Sequence, residues 1–197
     1  MVSGFINGAV KVDVLPQSQA NLDLSTLLIQ TQTASASSSL VFTIPTATSP
    51  LTYQSFRFVL RNLVPAANDT FQMTFSTDGG STWIATAYTS GFIAIPYNST
   101  TTTNSNATTS IRFSANMPSA NAFGFNADIR CHGLKGTAGL VTVIEGTGNY
   151  VQLFDSIFRQ TRFAAEYGSG LINAVRFNTV AGNNITSGTI TLYAELG

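Results

Sequence analysis

The sequence predicts an all-β protein, an antiparallel β-sandwich of jelly-roll type with an extended N-terminal arm. Apolar and polar residues alternate with a period of two in segment after segment, which is the pattern of half-buried strands. Gly, Asn, Ser and Pro separate these segments, as expected for turns. No segment combines a 3.6-residue apolar period with helix caps, and the two closest, QANLDLSTLLIQ and FDSIFRQTRFAAEY, are ambiguous.

The apolar positions of each predicted strand define one inward face. In chain order they are Leu40, Phe42 and Ile44; Phe56, Phe58 and Leu60; Phe71, Met73 and Phe75; Phe123, Phe125, Ala127 and Ile129; Val175 and Phe177; and Ile190, Leu192 and Ala194. About eight to ten strands with one apolar face each need a second sheet to cover them, which predicts a sandwich or a barrel. We expect Trp83, Phe58, Phe71, Phe75 and Phe177 to lie in its core. A propeller is not expected, because no repeat of about 40–50 residues occurs.

Two segments depart from the alternation. Residues 1–30 are weakly patterned and are predicted to form an arm or lead-in segment, whereas residues 31–197 form the sandwich. Apolar side chains along the arm would anchor it on a neighbouring copy or another protein. These anchors are Phe5, Ile6, Val10, Val12, Val14 and Leu15. Residues 98–110, NSTTTTNSNATTS, hold nothing apolar larger than Ala and predict a long solvated loop.

Low charge is the unusual feature of the composition. Charged residues make up 9% of the chain and cancel to a net charge of zero, against about 25% charged residues in ordinary soluble domains. No overall field would therefore attract nucleic acid. Cys131 is the only cysteine, so the fold needs no intrachain disulfide. No secretion signal is recognisable, and no apolar run approaches the roughly 20 residues that span a bilayer.

The octapeptide STDGGSTW, Ser76–Trp83, fits the Ser-x-Asp-x-Gly-x-Thr-Trp pattern and resembles the Asp-box of sialidases. Each of its residue types also suits a turn between two strands. Asp78 can accept backbone N–H groups, and Gly79 and Gly80 adopt positive φ without steric strain. Thr82 then resumes the strand and Trp83 turns back onto the sheet. We expect a structural turn, because the propeller in which Asp-boxes occur is not predicted.

No residue pattern points to catalysis, a metal or a cofactor. His132, the only histidine, stands beside Cys131 without further ligands at metal-site spacing. The carboxylate pairs Glu145 with Asp155 or Glu166 have no local signature of a glycosidase. We therefore predict a protein that is not an enzyme.

Sugar binding through exposed aromatic rings and amides is an open alternative. Its candidate residues are Tyr88, Tyr97, Tyr150 and Tyr167, although such tyrosines more often cap a core with a hydrated hydroxyl.

The final segment, INAVRFNTVAGNNITSGTITLYAELG, resembles the C-terminus of small structural proteins of tailed bacteriophages. YQSFRFVLRNLVPAANDTFQMTFSTDGGSTW and LIQTQTASASSSLVFT resemble other parts of the same family, in the same order. The likeness departs at the ending AELG and in the middle of the chain. The resemblance implies a virion protein with a β-sandwich and carries over no catalytic residue.

Two roles are consistent with this resemblance, which does not settle the position in the particle. The first is a non-enzymatic structural component on the virion surface, a capsid decoration or cement protein, assembled in the host cytoplasm. The alternative is a tail-associated fibre, tip or baseplate protein that binds a receptor or host glycan. We expect a homo-oligomer, with a trimer favoured, and contacts with other virion proteins such as the major capsid protein.

Overall fold

The computed structural model of the chain describes residues 26–45, 53–98, 102–119, 123–134, 141–153, 155–168 and 170–196. These residues form strands, turns and bends and contain no helix. The strands are β1 (Thr26–Thr33), β2 (Leu40–Thr43), β3 (Tyr53–Pro65), β4 (Phe71–Ser76), β5 (Tyr88–Pro96), β6 (Thr103–Ala107), β7 (Ile111–Arg112), β8 (Phe125–His132), β9 (Thr142–Val151), β10 (Phe158–Tyr167), β11 (Ala174–Thr179) and β12 (Ile185–Leu196).

The strands form two sheets in which every pair of neighbours is antiparallel. The large sheet has the order β1-β12-β3-β8-β9-β10-β5-β6, and the small sheet has the order β2-β11-β4-β7. The all-β prediction is therefore confirmed at the level of two antiparallel sheets. No helix in the described ranges is long and apolar enough to cross a membrane.

The inward faces of the two sheets share one core built on phenylalanine. Phe58 of the large sheet meets Phe42 and Phe177 of the small sheet, with ring centroids 5.5 and 5.1 Å apart. Phe71 of the small sheet stacks on Phe125 of the large one at 5.8 Å. These are the spacings of favourable aromatic pairs, and they show that the sheets pack face to face. The predicted core positions Phe58, Phe71, Phe75 and Phe177 are all buried.

Several local expectations are wrong. Thr103–Ala107, inside the predicted loop 98–110, pairs with β5 as the edge strand β6, because an edge strand needs only backbone bonds on one side. Both ambiguous segments contribute strands, since their ends lie in β1 and β10. Residues 26–30, assigned to the arm, belong to β1. Phe123, expected inside, lies outside because Gly124 turns the chain at φ +56° just before β8.

Candidate functional site

The side of the large sheet that points away from the core is the candidate site, here called the outer face. Alternation along five strands places its side chains opposite the buried ones. Its members include Arg57, Arg61, Gly91, Ile93, Ile95, Asp128, Arg130, His132, Val143, Glu145, Thr147, Phe158, Gln160, Arg162, Ala164 and Glu166.

Strand register arranges these side chains in rows that cross the sheet. In one row Asp128 lies opposite Thr147, Thr147 opposite Arg162, and Arg162 opposite Ile93. In the next row Arg130 lies opposite Glu145, which lies opposite Ala164, and Ala164 opposite Gly91. The small residues at the end of the second row leave room, and shallow depressions of about 510 and 540 Å³ lie along the two rows.

An ion-pair network occupies the β3–β8 end of the outer face. The Nε of Arg57 donates to both carboxylate oxygens of Asp128, at 2.8 and 3.0 Å. These hydrogen bonds lower the pKa of Asp128 from its ordinary value, although partial burial opposes the shift. Nε of Arg130 lies 3.3 Å from the Glu195 carboxylate. Because these groups are partly exposed, each pair contributes little to stability.

Two arginines of this face are not paired. Four of the seven arginines point outward from it, namely Arg57, Arg61, Arg130 and Arg162. Within the described part of the chain Arg162 makes no ion pair or hydrogen bond, and Arg61 bonds only the neighbouring Leu60 carbonyl, at 3.3 Å. Their guanidinium groups are therefore free for a partner, to which they can donate in a fixed planar geometry.

Exposed apolar side chains concentrate on the same face. Of the ten large apolar side chains exposed in the described ranges, four occupy outward positions of β5, β9 and β10: Ile93, Ile95, Val143 and Phe158. Aromatic and arginine side chains are enriched at protein interfaces. The sequence analysis assigned no strand face to these four positions, so both their outward orientation and their proximity come from the structure.

The STDGGSTW turn is closed by the Asp78 carboxylate. Its Oδ1 accepts from the Ser76 hydroxyl at 2.6 Å and from the Thr82 N–H at 2.9 Å, and its Oδ2 accepts from the Thr82 hydroxyl at 2.6 Å. The hydrogen bonds from Ser76 and Thr82 hold the pKa of Asp78 well below its usual range. Gly79 and Gly80 have φ of +77° and +93°, and the Gly79 N–H donates to Asn173 Oδ1 at 2.8 Å.

Trp83 is not a core residue, so that expectation is wrong. Its side chain is half-buried and lies under the Arg176 guanidinium, whose carbon is 4.5 Å from the ring centroid. Tyr88 and Tyr167 instead occupy the core beside Phe75, each with ring centroids 5.8 Å from that phenylalanine. Trp83 thus covers the outside of the small sheet in a cation–π contact.

The remaining candidates for chemistry are dispersed. Cys131 is buried, and burial raises the pKa of its thiol, which disfavours the reactive thiolate. Nε2 of His132 lies 3.6 Å from Glu145, whereas Asp155 pairs with Arg159 and Glu166 points outward on β10. No group of three metal-ligating side chains forms among the residues that the structure describes.

The four candidate tyrosines divide into two groups. The Tyr88 hydroxyl accepts from the Phe75 N–H at 2.8 Å, and the Tyr150 hydroxyl accepts from the Ala115 N–H at 3.0 Å. Tyr167 packs against the core. Tyr97 alone among them is exposed, by 75%. The first three cap the core, and only Tyr97 is free to contact a ligand.

The six predicted arm anchors, Phe5, Ile6, Val10, Val12, Val14 and Leu15, lie outside the described residues. Comparison of the chain with family models, with curated proteins and with solved structures gives no match in any of the three. The bacteriophage family suggested by the sequence stays a prediction.

Proposed function

We propose that this protein is a non-enzymatic structural component of a bacteriophage virion, exposed on its surface as a capsid decoration or cement protein. The sequence resemblance to small phage structural proteins supports the class of particle. The composition of the outer face supports the role in assembly, and it is the observation that carries the proposal.

The outer face suits a contact with a neighbouring subunit. Ile93, Ile95 and Phe158 supply exposed apolar area beside the unpaired Arg162, and the row of Ala164 and Gly91 forms a trough on the other side of Arg162 and Ile93. Apolar contacts exclude water while arginine donates to acceptors on the partner. We propose that copies of this chain, in a homotrimer, and the major capsid protein supply those contacts. The arm anchors, from Phe5 to Leu15, would add a second attachment.

The strand pairs support assignment to the jelly-roll class, a fold common in viral capsids. When the hairpins β5–β6 and β9–β10 are set aside, eight strands remain. The first then pairs with the eighth (β1 with β12) and the second with the seventh (β2 with β11). The third pairs with the sixth (β3 with β8) and the fourth with the fifth (β4 with β7). This nested pairing is the one produced when a long hairpin rolls up into two sheets, and the two extra hairpins widen one sheet and carry most of the outer face.

A reconstitution experiment tests the proposal. Purified protein is added to particles that lack it, and bound protein is measured after sedimentation of the particles. We expect Ile93→Asp to reduce incorporation strongly, because a charge would be buried at the interface. Leu171→Asp is the control, since Leu171 is similarly exposed but lies outside the outer face. Equal incorporation of Ile93→Asp and the unmodified protein would show that this face makes no contact.

A tail-associated receptor- or glycan-binding role is the second proposal. The 75% exposure of the Tyr97 ring favours it, because a tyrosine offers a ligand both an apolar ring face and a polar hydroxyl. Hydrolysis of a sialoside or a bacterial polysaccharide by the purified protein would contradict both proposals, since neither includes catalysis.

A further inference from the structure

A cleft of about 490 Å³ lies where β9 and β10 meet the turn before β8, here called the aromatic cleft. Three aromatic rings line it. Tyr97 is 75% exposed, Phe123 71% and Phe158 45%, and the first two are the most exposed large apolar side chains in the described ranges. Three rings exposed to this extent around one concavity are unusual, because scattered single exposures are the norm.

Amide groups complete the aromatic cleft. Asn126 is saturated: its Oδ1 accepts from the Asn62 N–H at 3.0 Å, and its Nδ2 donates to Phe123 O at 3.0 Å and to Asn149 Oδ1 at 3.4 Å. It thereby fixes the orientation of Asn149. Within the described residues, Asn149 Nδ2 and the Asn62 side chain make no hydrogen bond, so both are available to a ligand. None of the residues that line the cleft is charged.

Unusual backbone geometry holds two residues of the cleft in place. Asn62 and Ser156 have φ of 51° and 56°, and they are two of the four non-glycine residues with positive φ in the described ranges. The Asn62 bulge in β3 is packed by Gly124 and Gly188, where an added Cβ would lie 2.5 Å from Asn62 backbone atoms. Such bulges and positive φ values re-aim side chains and concentrate at binding sites.

The described residues of the loop between β9 and β10 are also held by hydrogen bonds and an ion pair. Asp155 pairs with the buried guanidinium of Arg159, and its Oδ1 accepts from the Ile157 N–H at 3.0 Å. The Ser156 N–H donates to Gln152 O at 3.0 Å. Ser156 therefore enters the aromatic cleft from a preformed loop, and binding there would require little ordering of the protein.

We propose that the aromatic cleft binds a neutral saccharide. A pyranose ring presents an apolar C–H face that stacks on aromatic rings and hydroxyl groups that bond amides. Tyr97 and Phe158 supply the stacking surfaces, and Asn62 and Asn149 supply donors and acceptors. A phosphorylated ligand or single-stranded nucleic acid would need cationic side chains in the lining, and the cleft has none. The inference deepens the second proposed function, on which it rests, by naming the binding site and the class of ligand.

Saturation-transfer NMR and calorimetry with the intact protein test this inference. The neutral probes are maltotetraose, cellotetraose and chitotriose, and the charged probes are sialyllactose and oligothymidylate. We expect at least one neutral probe to bind, with saturation transferred to its ring C–H protons. Tyr97→Ala should weaken that binding roughly five- to tenfold, the loss expected for one stacking contact.

The variants separate a specific site from a general surface effect. Asn149→Ala should also weaken binding, whereas Leu171→Ala, an exposed apolar residue away from the cleft, should leave it unchanged. Thermal unfolding checks that each variant is folded, and Tyr97 is exposed enough that its removal should not disturb the core. The proposal is overturned if no neutral probe binds, if binding survives both Tyr97→Ala and Phe158→Ala, or if oligothymidylate alone binds. Failure here leaves the incorporation result at Ile93 untouched.

Discussion

Removal of one buried hydroxyl, by Tyr88→Phe, tests how the two sheets are joined. The N–H of Phe75 points away from β11 toward the side of β4 where β7 should continue. However, β7 is only two residues long and pairs with Gln72 and Met73. The hydroxyl of Tyr88, from the large sheet, takes the place of the missing strand and accepts that N–H at 2.8 Å. It also lies 3.2 Å from the Ile84 carbonyl, to which it donates.

Tyr88→Phe keeps the ring and removes both hydrogen bonds. Because Tyr88 is only 2% exposed and Phe75 is fully buried, water cannot replace the lost partner. An unsatisfied buried donor destabilises a protein by about 1–3 kcal/mol. In a chain of this size each kcal/mol lowers the Tm by about 2–4 °C, so we expect a fall of about 2–12 °C. Calorimetry and urea unfolding followed by circular dichroism measure it.

Tyr97→Phe is the matched control, because its ring is exposed and no hydrogen bond of its hydroxyl occurs within the described residues. Its stability should change by less than about 0.5 kcal/mol. If Tyr88→Phe proved as stable as Tyr97→Phe, the hydroxyl would not join the sheets and the reasoning would fail.

The buried hydroxyl of Tyr88 should also make the protein less stable at alkaline pH. Burial raises the pKa of Tyr88 to about 12, from 10.0. Since the unfolded chain loses this proton at lower pH than the folded one, the stabilisation is complete below pH 10 and declines between pH 10 and 12. In Tyr88→Phe the free energy of unfolding should fall less between pH 10 and 12 than in the unmodified protein. An equal fall in both proteins would show that other groups cause it.

Three further predictions concern packing, the turn and the arm. Gly146→Ala should lower the free energy of unfolding in urea by about 1–3 kcal/mol, because the added Cβ would lie 2.3 Å from the Phe163 ring. Gly168→Ala is the control and should be nearly neutral, because no atom lies within 4 Å of the added Cβ. The hydrogen-bonded carboxylate of Asp78 has a lowered pKa, so its stabilisation is present above about pH 4 and is lost as the pH falls. Asp78→Ala should therefore flatten the acid side of the stability profile, and an unchanged profile would contradict this. Deletion of residues 1–25 should leave a soluble β protein that no longer joins the particle or its oligomer. Normal incorporation, or failure to fold, would contradict the prediction that these residues form an assembly arm.

Period-two alternation located the core because it depends only on neighbours along the chain. Phe58, Phe71 and Phe177 follow directly from it. The position of Trp83 was predicted wrongly because Trp83 follows a turn. After a turn, the preceding strand no longer sets which positions point inward and which point outward. Its partner Arg176 comes from a distant strand, so no local signal could indicate the cation–π contact.

The outer face and the aromatic cleft could not be predicted, because both depend on pairing between strands distant in sequence. Arg162 and Ile93 become neighbours only through the register of β10 with β5. The hairpins that carry them are insertions into the nested pairing of the other eight strands. The residues of β6 likewise contain no apolar side chain larger than Ala that would mark them as a strand. The STDGGSTW turn, by contrast, was readable from sequence since most of its bonds are local.

The most direct test of the proposed role is the number of copies of this chain in purified particles, measured by quantitative mass spectrometry against the major capsid protein. A decoration or cement protein should be present in a fixed ratio to the capsid protein, with a copy number of similar magnitude. A copy number equal to that of tail components would contradict the decoration role and favour the tail-associated role. Absence from the particles would contradict the virion role altogether.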